Sequence, residues 1–202
     1  MVEAMVWDIG HVFAIWEPES YFDTLIGPEK RAQLFAEAAL HEMNEAIDLG
    51  TSGRDATDAH AAKFPQWADE IRRWHDDWIE TFRQPVPGSA DLLYATKAKG
   101  VRTVALSNFG AENLEVAREV HPVLREFDQE FVSAHLGVAK PDPAIYEALE
   151  QGTGLSGAAL LFTDDKPENI AAAAARGWKT HLFEGADGLA ERLIAEGLLD
   201  AS

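Results

Sequence analysis

Short strand-like segments recur along this chain: the largely apolar AMVW before Asp8, VRTVAL before Ser107 and ALLFT before Asp164, and the more polar EFVSA and KTHLF. Segments this short predict strands, and AMVW reads as a buried one that Gly10 ends. Between them the apolar positions recur every three or four residues. That spacing predicts helices from about Ala111, from Asp142 and Pro143, from Pro167, and around Leu189. Ser89 is expected to cap a helix that Gly100 stops. Strand and helix signals that alternate in this way predict an α/β fold with a doubly wound parallel sheet.

From Pro18 to Gln84 the strand runs disappear and only helical spacing remains. The expectation is a Rossmann-like core formed by residues 1–17 and 85–202, with an α-helical cap domain inserted at 18–84. Trp67, Ile71, Trp74, Trp78 and Phe82 stand at helical spacing and read as the cap's own core. A cap placed between the first strand and the rest of the core closes over whatever the strand ends carry. Trp16, Asn44 and Asp48 are the candidates to face that site.

Composition narrows the chemistry. Across 202 residues, 17 basic and 35 acidic side chains give a formal net charge of −18. Such a field repels nucleic-acid backbones and anionic membranes, so neither is an expected partner. The absence of cysteine excludes disulfides, thiolate metal sites and cysteine nucleophiles. No apolar run is long enough for a membrane span. Glu3 and Asp8 near the start do not fit a secretory signal, and a cytoplasmic location is expected.

In doubly wound sheets ligands bind beyond the carboxyl ends of the strands, where this chain places Asp8, Ser107, Lys140, Asp164 and Asp165. A carboxylate such as Asp8 that attacks phosphorus forms an aspartyl-phosphate and divides hydrolysis into two easier displacements. Adjacent Asp164 and Asp165 need compensation if both are ionised, and a hard cation with oxygen ligands supplies it. Asp165 also reads as the first residue of a capping box, DKPE, with Pro167 in the first turn. Lys140 lies in a loop stiffened by Pro141 and Pro143. The Ser107 hydroxyl can hold a phosphoryl oxygen, with Asn108 the better placed of the pair to reach a substrate.

The strings WDIGHVFAIWEP, VALSNFG, GVAKPDPAIY and LLFTDDKPENI, in that order, resemble the motifs of the haloacid dehalogenase-like hydrolase superfamily. The first string is similar to a sub-branch of bacterial sugar-phosphate phosphatases that includes α-D-glucose-1-phosphate phosphatase. The resemblance implies a phosphatase acting on a small phosphorylated metabolite, with Asp8 as nucleophile. It also implies that Lys140 neutralises the nucleophile and the transferred group. Mg²⁺ would be held by Asp8, the Gly10 carbonyl and Asp164 or Asp165, with Asn169 in support.

One departure is Gly10, where most phosphatases of the superfamily carry an acid/base Asp. His11, in place of the usual Asn or Gly, is then either a surrogate acid or a packed loop residue. A metal-free 2-haloacid dehalogenase is the alternative, but such enzymes typically carry Tyr at position 10 and lack the full acidic pair. A non-catalytic phosphate-binding protein is the other. The chain is expected to act as a monomer or homodimer.

Overall fold

The computed structural model describes residues 1–200. Strand β1 (Ala4–Trp7) is followed by five helices, α1 (Pro18–Ile26), α2 (Pro28–Ala38), α3 (Leu40–Asp48), α4 (Gly53–Lys63) and α5 (Ala68–Asp76). The chain then runs α6 (Ser89–Ala98), β2 (Arg102–Ser107), α7 (Ala111–Val120), β3 (Gln129–Val132), α8 (Ser133–Leu136) and α9 (Pro143–Thr153). It closes with β4 (Leu160–Asp164), α10 (Pro167–Ala175), β5 (Lys179–Leu182) and α11 (Ala186–Ala195).

The five strands form one parallel sheet in the order β3-β2-β1-β4-β5. In β1, Met5 and Trp7 point to one face and join Leu93, Leu114, Leu189 and Leu193 from α6, α7 and α11. Ala4 and Val6 point to the other, against Ile145, Tyr146, Leu149 and Ala173 from α9 and α10. Helices on both faces explain why the central strands read as unbroken apolar runs. The sheet order reverses direction at β1, so the crevice at its carboxyl end is the switch point where such folds bind ligands.

Helices α1 to α5 carry a third core of their own, built on Phe22, Leu34, Leu40, Ile71 and Trp74. Two linkers connect them to the sheet, and the linkers hydrogen-bond to each other. Ile15 N–H donates to Gln84 O at 2.8 Å, Glu17 N–H to Thr81 O at 2.9 Å, and Val86 N–H to Phe13 O at 2.9 Å.

The aromatic stripe divides. Trp67, Ile71 and Trp74 join the insert's core, whereas Trp78 and Phe82 belong to the core under the sheet. The helix stops at Asp76, and a short 3-10 turn at Trp78–Thr81 turns the last two aromatics inward against Phe109.

Two expected caps also differ. Gly88, in a left-handed conformation, precedes α6, and Ser89 is its first helical residue. The residue before α10 is Lys166, and no side chain caps that helix. Asp142 does cap α9, accepting from Ala144 N–H at 2.9 Å.

Candidate active site

Asp8 follows the last residue of β1, held in line by its N–H to Thr163 O at 3.0 Å. Its Oδ1 accepts from Ile9 N–H at 2.7 Å, Ser107 Oγ at 2.8 Å and Lys140 Nζ at 2.8 Å. Ser107 ends β2, so its hydroxyl orients the Asp8 carboxylate. Strand register brings these groups together: Trp7 pairs with Ala105 on one side and Thr163 on the other.

Lys140 is buried, and its ammonium sits between Asp8 and Asp164, at 2.6 Å from Asp164 Oδ2 and 2.9 Å from Leu106 O. Burial alone would depress the lysine's pKa, but the two carboxylates outweigh it and hold it above its ordinary value. The loop that delivers it is clamped by Asn108, which donates from Nδ2 to Lys140 O at 2.9 Å and accepts Lys140 N–H on Oδ1 at 2.8 Å. Asn108 reaches the cavity wall, yet its amide group is committed to this clamp. Sequence reasoning had directed it to the substrate.

Asp164 is fully buried and saturated with protein partners. Oδ1 accepts from Lys166 N–H at 2.8 Å and Asn169 Nδ2 at 3.0 Å, and Oδ2 accepts from Lys140 and again from Asn169 at 3.0 Å. Burial and the neighbouring Asp8 push its carboxyl up to about 6, against the pull of Lys140. Asp165 is half-buried and faces the cavity. Burial and Asp164 raise its carboxyl too, with His11 and Lys166 opposing.

One carboxylate oxygen from each of Asp8, Asp164 and Asp165 falls within 4.8 Å of the others. Three carboxylates around a single buried ammonium leave an excess of negative charge at a strand end. An all-oxygen donor set of this kind fits a hard divalent cation such as Mg²⁺.

Gly10 has no positive φ, and a Cβ placed there meets nothing within 4 Å. The left-handed residue of the loop is instead His11, with φ 55°, a conformation that Asn and Gly adopt more easily. The loop therefore does not demand a glycine. Gly10→Ala is expected to stabilise the protein by about 0.4–1 kcal/mol by stiffening the unfolded chain; a loss above about 1 kcal/mol in urea titration would show a steric role.

The cavity over these groups has a volume of about 480 Å³. Its wall combines the sheet-end residues with Trp16, Asn44 and Asp48 from the insert and its linker, together with Trp78 and Phe82. Spacing had set those last two aside as core. They are both: each packs in the core under the sheet and lines the cavity. His41 and Glu45 also reach the cavity from α3; nothing in the sequence distinguished them from a solvated helix face.

The model of a haloacid dehalogenase-like hydrolase family matches residues 10–177. Sesquiterpene phosphatase astK of Aspergillus oryzae is 29% identical over 187 residues, spanning 87% of this chain and 86% of that protein. A HAD family enzyme, bt-2542 of Bacteroides thetaiotaomicron, in complex with magnesium and inorganic phosphate, superposes with a TM-score of 0.66 at 15% identity, over 92% of this chain and 96% of that one. L-2-haloacid dehalogenase of Xanthobacter autotrophicus, with chloropropionic acid covalently bound, gives 0.62 at 16% identity, over 98% and 84%. Likeness at these structural identities shows the fold and does not separate the two chemistries.

Proposed function

The chain belongs to the haloacid dehalogenase-like hydrolase family, and on that premise we propose that it is a Mg²⁺-dependent phosphatase that hydrolyses a small phosphorylated metabolite through Asp8. The observation that carries this reading is the surplus of carboxylate at the mouth of β1 and β4. A dehalogenase that works without metal would have to keep Asp8, Asp164 and Asp165 together with only Lys140 to offset them.

On this reading Asp8, the Gly10 carbonyl and Asp164 or Asp165 would hold Mg²⁺. Asp164 also accepts from Lys140, Asn169 and the Lys166 N–H, contacts that orient the loop. When bound, the ion supplies charge neutralisation for an incoming phosphoryl dianion. A carboxylate oxygen of Asp8, steered by Ser107 and Ile9 N–H, attacks phosphorus and displaces the alcohol. Lys140 screens the approaching anions from the buried side. Water then cleaves the acyl phosphate and restores Asp8.

The organic part of the substrate meets an aromatic wall at Trp16 and Trp78 and polar groups on α3. Hydroxyls facing α3 with an apolar face on the tryptophans suit a sugar phosphate. The sesquiterpene phosphatase relative acts on a different alcohol class by its name. Rates on sugar phosphates against isoprenyl phosphates separate the two.

The test of the activity itself is turnover of p-nitrophenyl phosphate by protein treated with a chelator and then resupplied with Mg²⁺. Activity is expected to vanish and return. Asp165→Ala should raise the Mg²⁺ concentration for half-maximal rate by at least roughly 10- to 100-fold. Chelator-resistant release of chloride from 2-chloropropionate, with no phosphatase activity, would establish the dehalogenase reading instead.

A further inference from the structure

Gly10 leaves no side chain beside Asp8 to protonate a departing alkoxide, so the proton must come from elsewhere in the cavity. We propose that Asp48, at the carboxyl end of α3, is the general acid that protonates the leaving oxygen and then the general base that activates water. This inference rests on the phosphatase reading of the same site.

Asp48 stands on the wall of the cavity that Asp8 and Asp165 also line. It reaches that cavity from the insert, whereas Asp8 and Asp165 reach it from the strand ends. A relay fixes its carboxyl. Trp74 Nε1 donates to Asn44 Oδ1 at 3.0 Å, which turns the Asn44 amide so that Nδ2 donates to Asp48 Oδ2 at 2.9 Å. Asn44 is itself buried, and its orientation is set by one donor and one acceptor rather than by solvent.

The main chain is pinned as well. Ser133 Oγ donates to Asp48 O and accepts Phe109 N–H, which ties the end of α3 to β3–α8 and to the loop after β2. Contact there is close. A Cβ on Gly50 would lie 2.7 Å from Ala134 O, and one on Gly110 would lie 2.7 Å from Ile47 Cγ2. These contacts fix the place of Asp48 relative to the strand ends.

The surroundings suit a proton donor. Burial pushes the Asp48 carboxyl up to about 7. Lys166, from the loop before α10, the Asn44 amide and the Gly110 N–H pull it down, and Glu45 on the same helix pushes it up. A carboxyl poised near neutrality can both give and take a proton.

The atoms balance as follows. Asp8 forms a bond to phosphorus as the bond from phosphorus to the alcohol oxygen breaks. That electron pair goes to the alcohol oxygen, which takes the Asp48 proton. In the second displacement Asp48 carboxylate removes a proton from water, whose oxygen bonds to phosphorus. The bond to Asp8 breaks with its electron pair returning to the carboxylate, and inorganic phosphate leaves.

The experiment compares kcat/KM, which reports only the displacement that releases the alcohol, for n-butyl phosphate and p-nitrophenyl phosphate in the wild type, Asp48→Asn and His11→Asn, with Mg²⁺ present. Nitrophenolate leaves without a proton and an alkoxide does not. Asp48→Asn is expected to lower the butyl-to-nitrophenyl rate ratio by roughly 10²- to 10⁴-fold, while His11→Asn leaves the ratio unchanged. In the wild type, kcat/KM for the butyl ester should fall as pH rises through about 7, where the acid loses its proton, and kcat/KM for the nitrophenyl ester should not follow it. That profile needs no variant, so the proposal stays open to refutation even if Asp48→Asn folds poorly. An unchanged ratio in Asp48→Asn, a collapse confined to His11→Asn, or parallel pH profiles for both esters overturns the assignment of Asp48 and leaves the phosphatase reading standing. A wild type that hydrolyses neither ester overturns both.

Discussion

Asp8→Asn is expected to lower phosphatase kcat by at least roughly 10⁴-fold, the scale of removing a nucleophile, while the protein stays folded. An amide is a poor nucleophile, and no other carboxylate can take over. Asp164 is enclosed by four protein contacts, and Asp165 starts from a different strand end. The fold should tolerate the change because Oδ1 of the asparagine still accepts from Ile9 N–H, Ser107 and Lys140 in the wild-type geometry. Removing one of three crowded carboxylates also relieves repulsion. The check is a steady-state rate on p-nitrophenyl phosphate beside a thermal melt. A variant within tenfold of wild type would move the chemistry to another residue.

Lys140→Met should cost more in stability than any single change at the cavity wall. The ammonium is buried and bonded at once to Asp8, Asp164 and Leu106 O, so its loss leaves two buried carboxylates facing each other. Removing one partner of such a pair costs about 3–5 kcal/mol, which for a chain of this size is a fall in Tm of about 10 °C. Mg²⁺ should recover part of the loss by restoring positive charge. The pH dependence follows in sign. Asp164 already has a folded pKa of about 6 against an ordinary 3.8, so the folded state holds protons that the unfolded state releases. Stability conferred by this group is greatest at low pH and falls as pH rises from about 4 through about 6. Without Lys140 that fall should deepen and extend to higher pH. Chelated variant and wild type melted side by side at pH 5 and pH 8 show it. An equal Tm at pH 8 would mean the lysine carries no such burden.

Much of this arrangement was legible in the chain because the three central strands are buried on both faces. β1, β2 and β4 read as largely apolar runs, and the polar residues at their ends were gathered together by the parallel register. Asp8, Ser107 and Asp164 were readable for that reason. Roles within the cluster were less so. Whether Asp164 or Asp165 faces the cavity depends on which way successive side chains point after β4, and the pairing of Asn108 with the Lys140 backbone depends on two loops meeting. Neither is encoded by spacing. Ser89 and Asp165 looked like helix caps by residue type, but Gly88 and Lys166 occupy those places because the preceding turns set the backbone first. Trp78 and Phe82 continued a helical period that the chain itself abandons at Asp76. The insert's cavity-lining polar groups His41 and Glu45 could not be told from a solvated face, since both are exposed positions on α3 and only the tertiary arrangement puts that face on the cavity.

The central claim is that phosphate passes through Asp8. Acid-quenching the protein during turnover of a phosphate ester with Mg²⁺, followed by peptide mass spectrometry, tests it directly. The peptide carrying Asp8 should gain the mass of one phosphoryl group in the wild type, lose it on brief alkaline treatment, and never gain it in Asp8→Asn. Rapid ester hydrolysis with that peptide unmodified at every quench time, or a phosphoryl group found on another residue, would contradict the account.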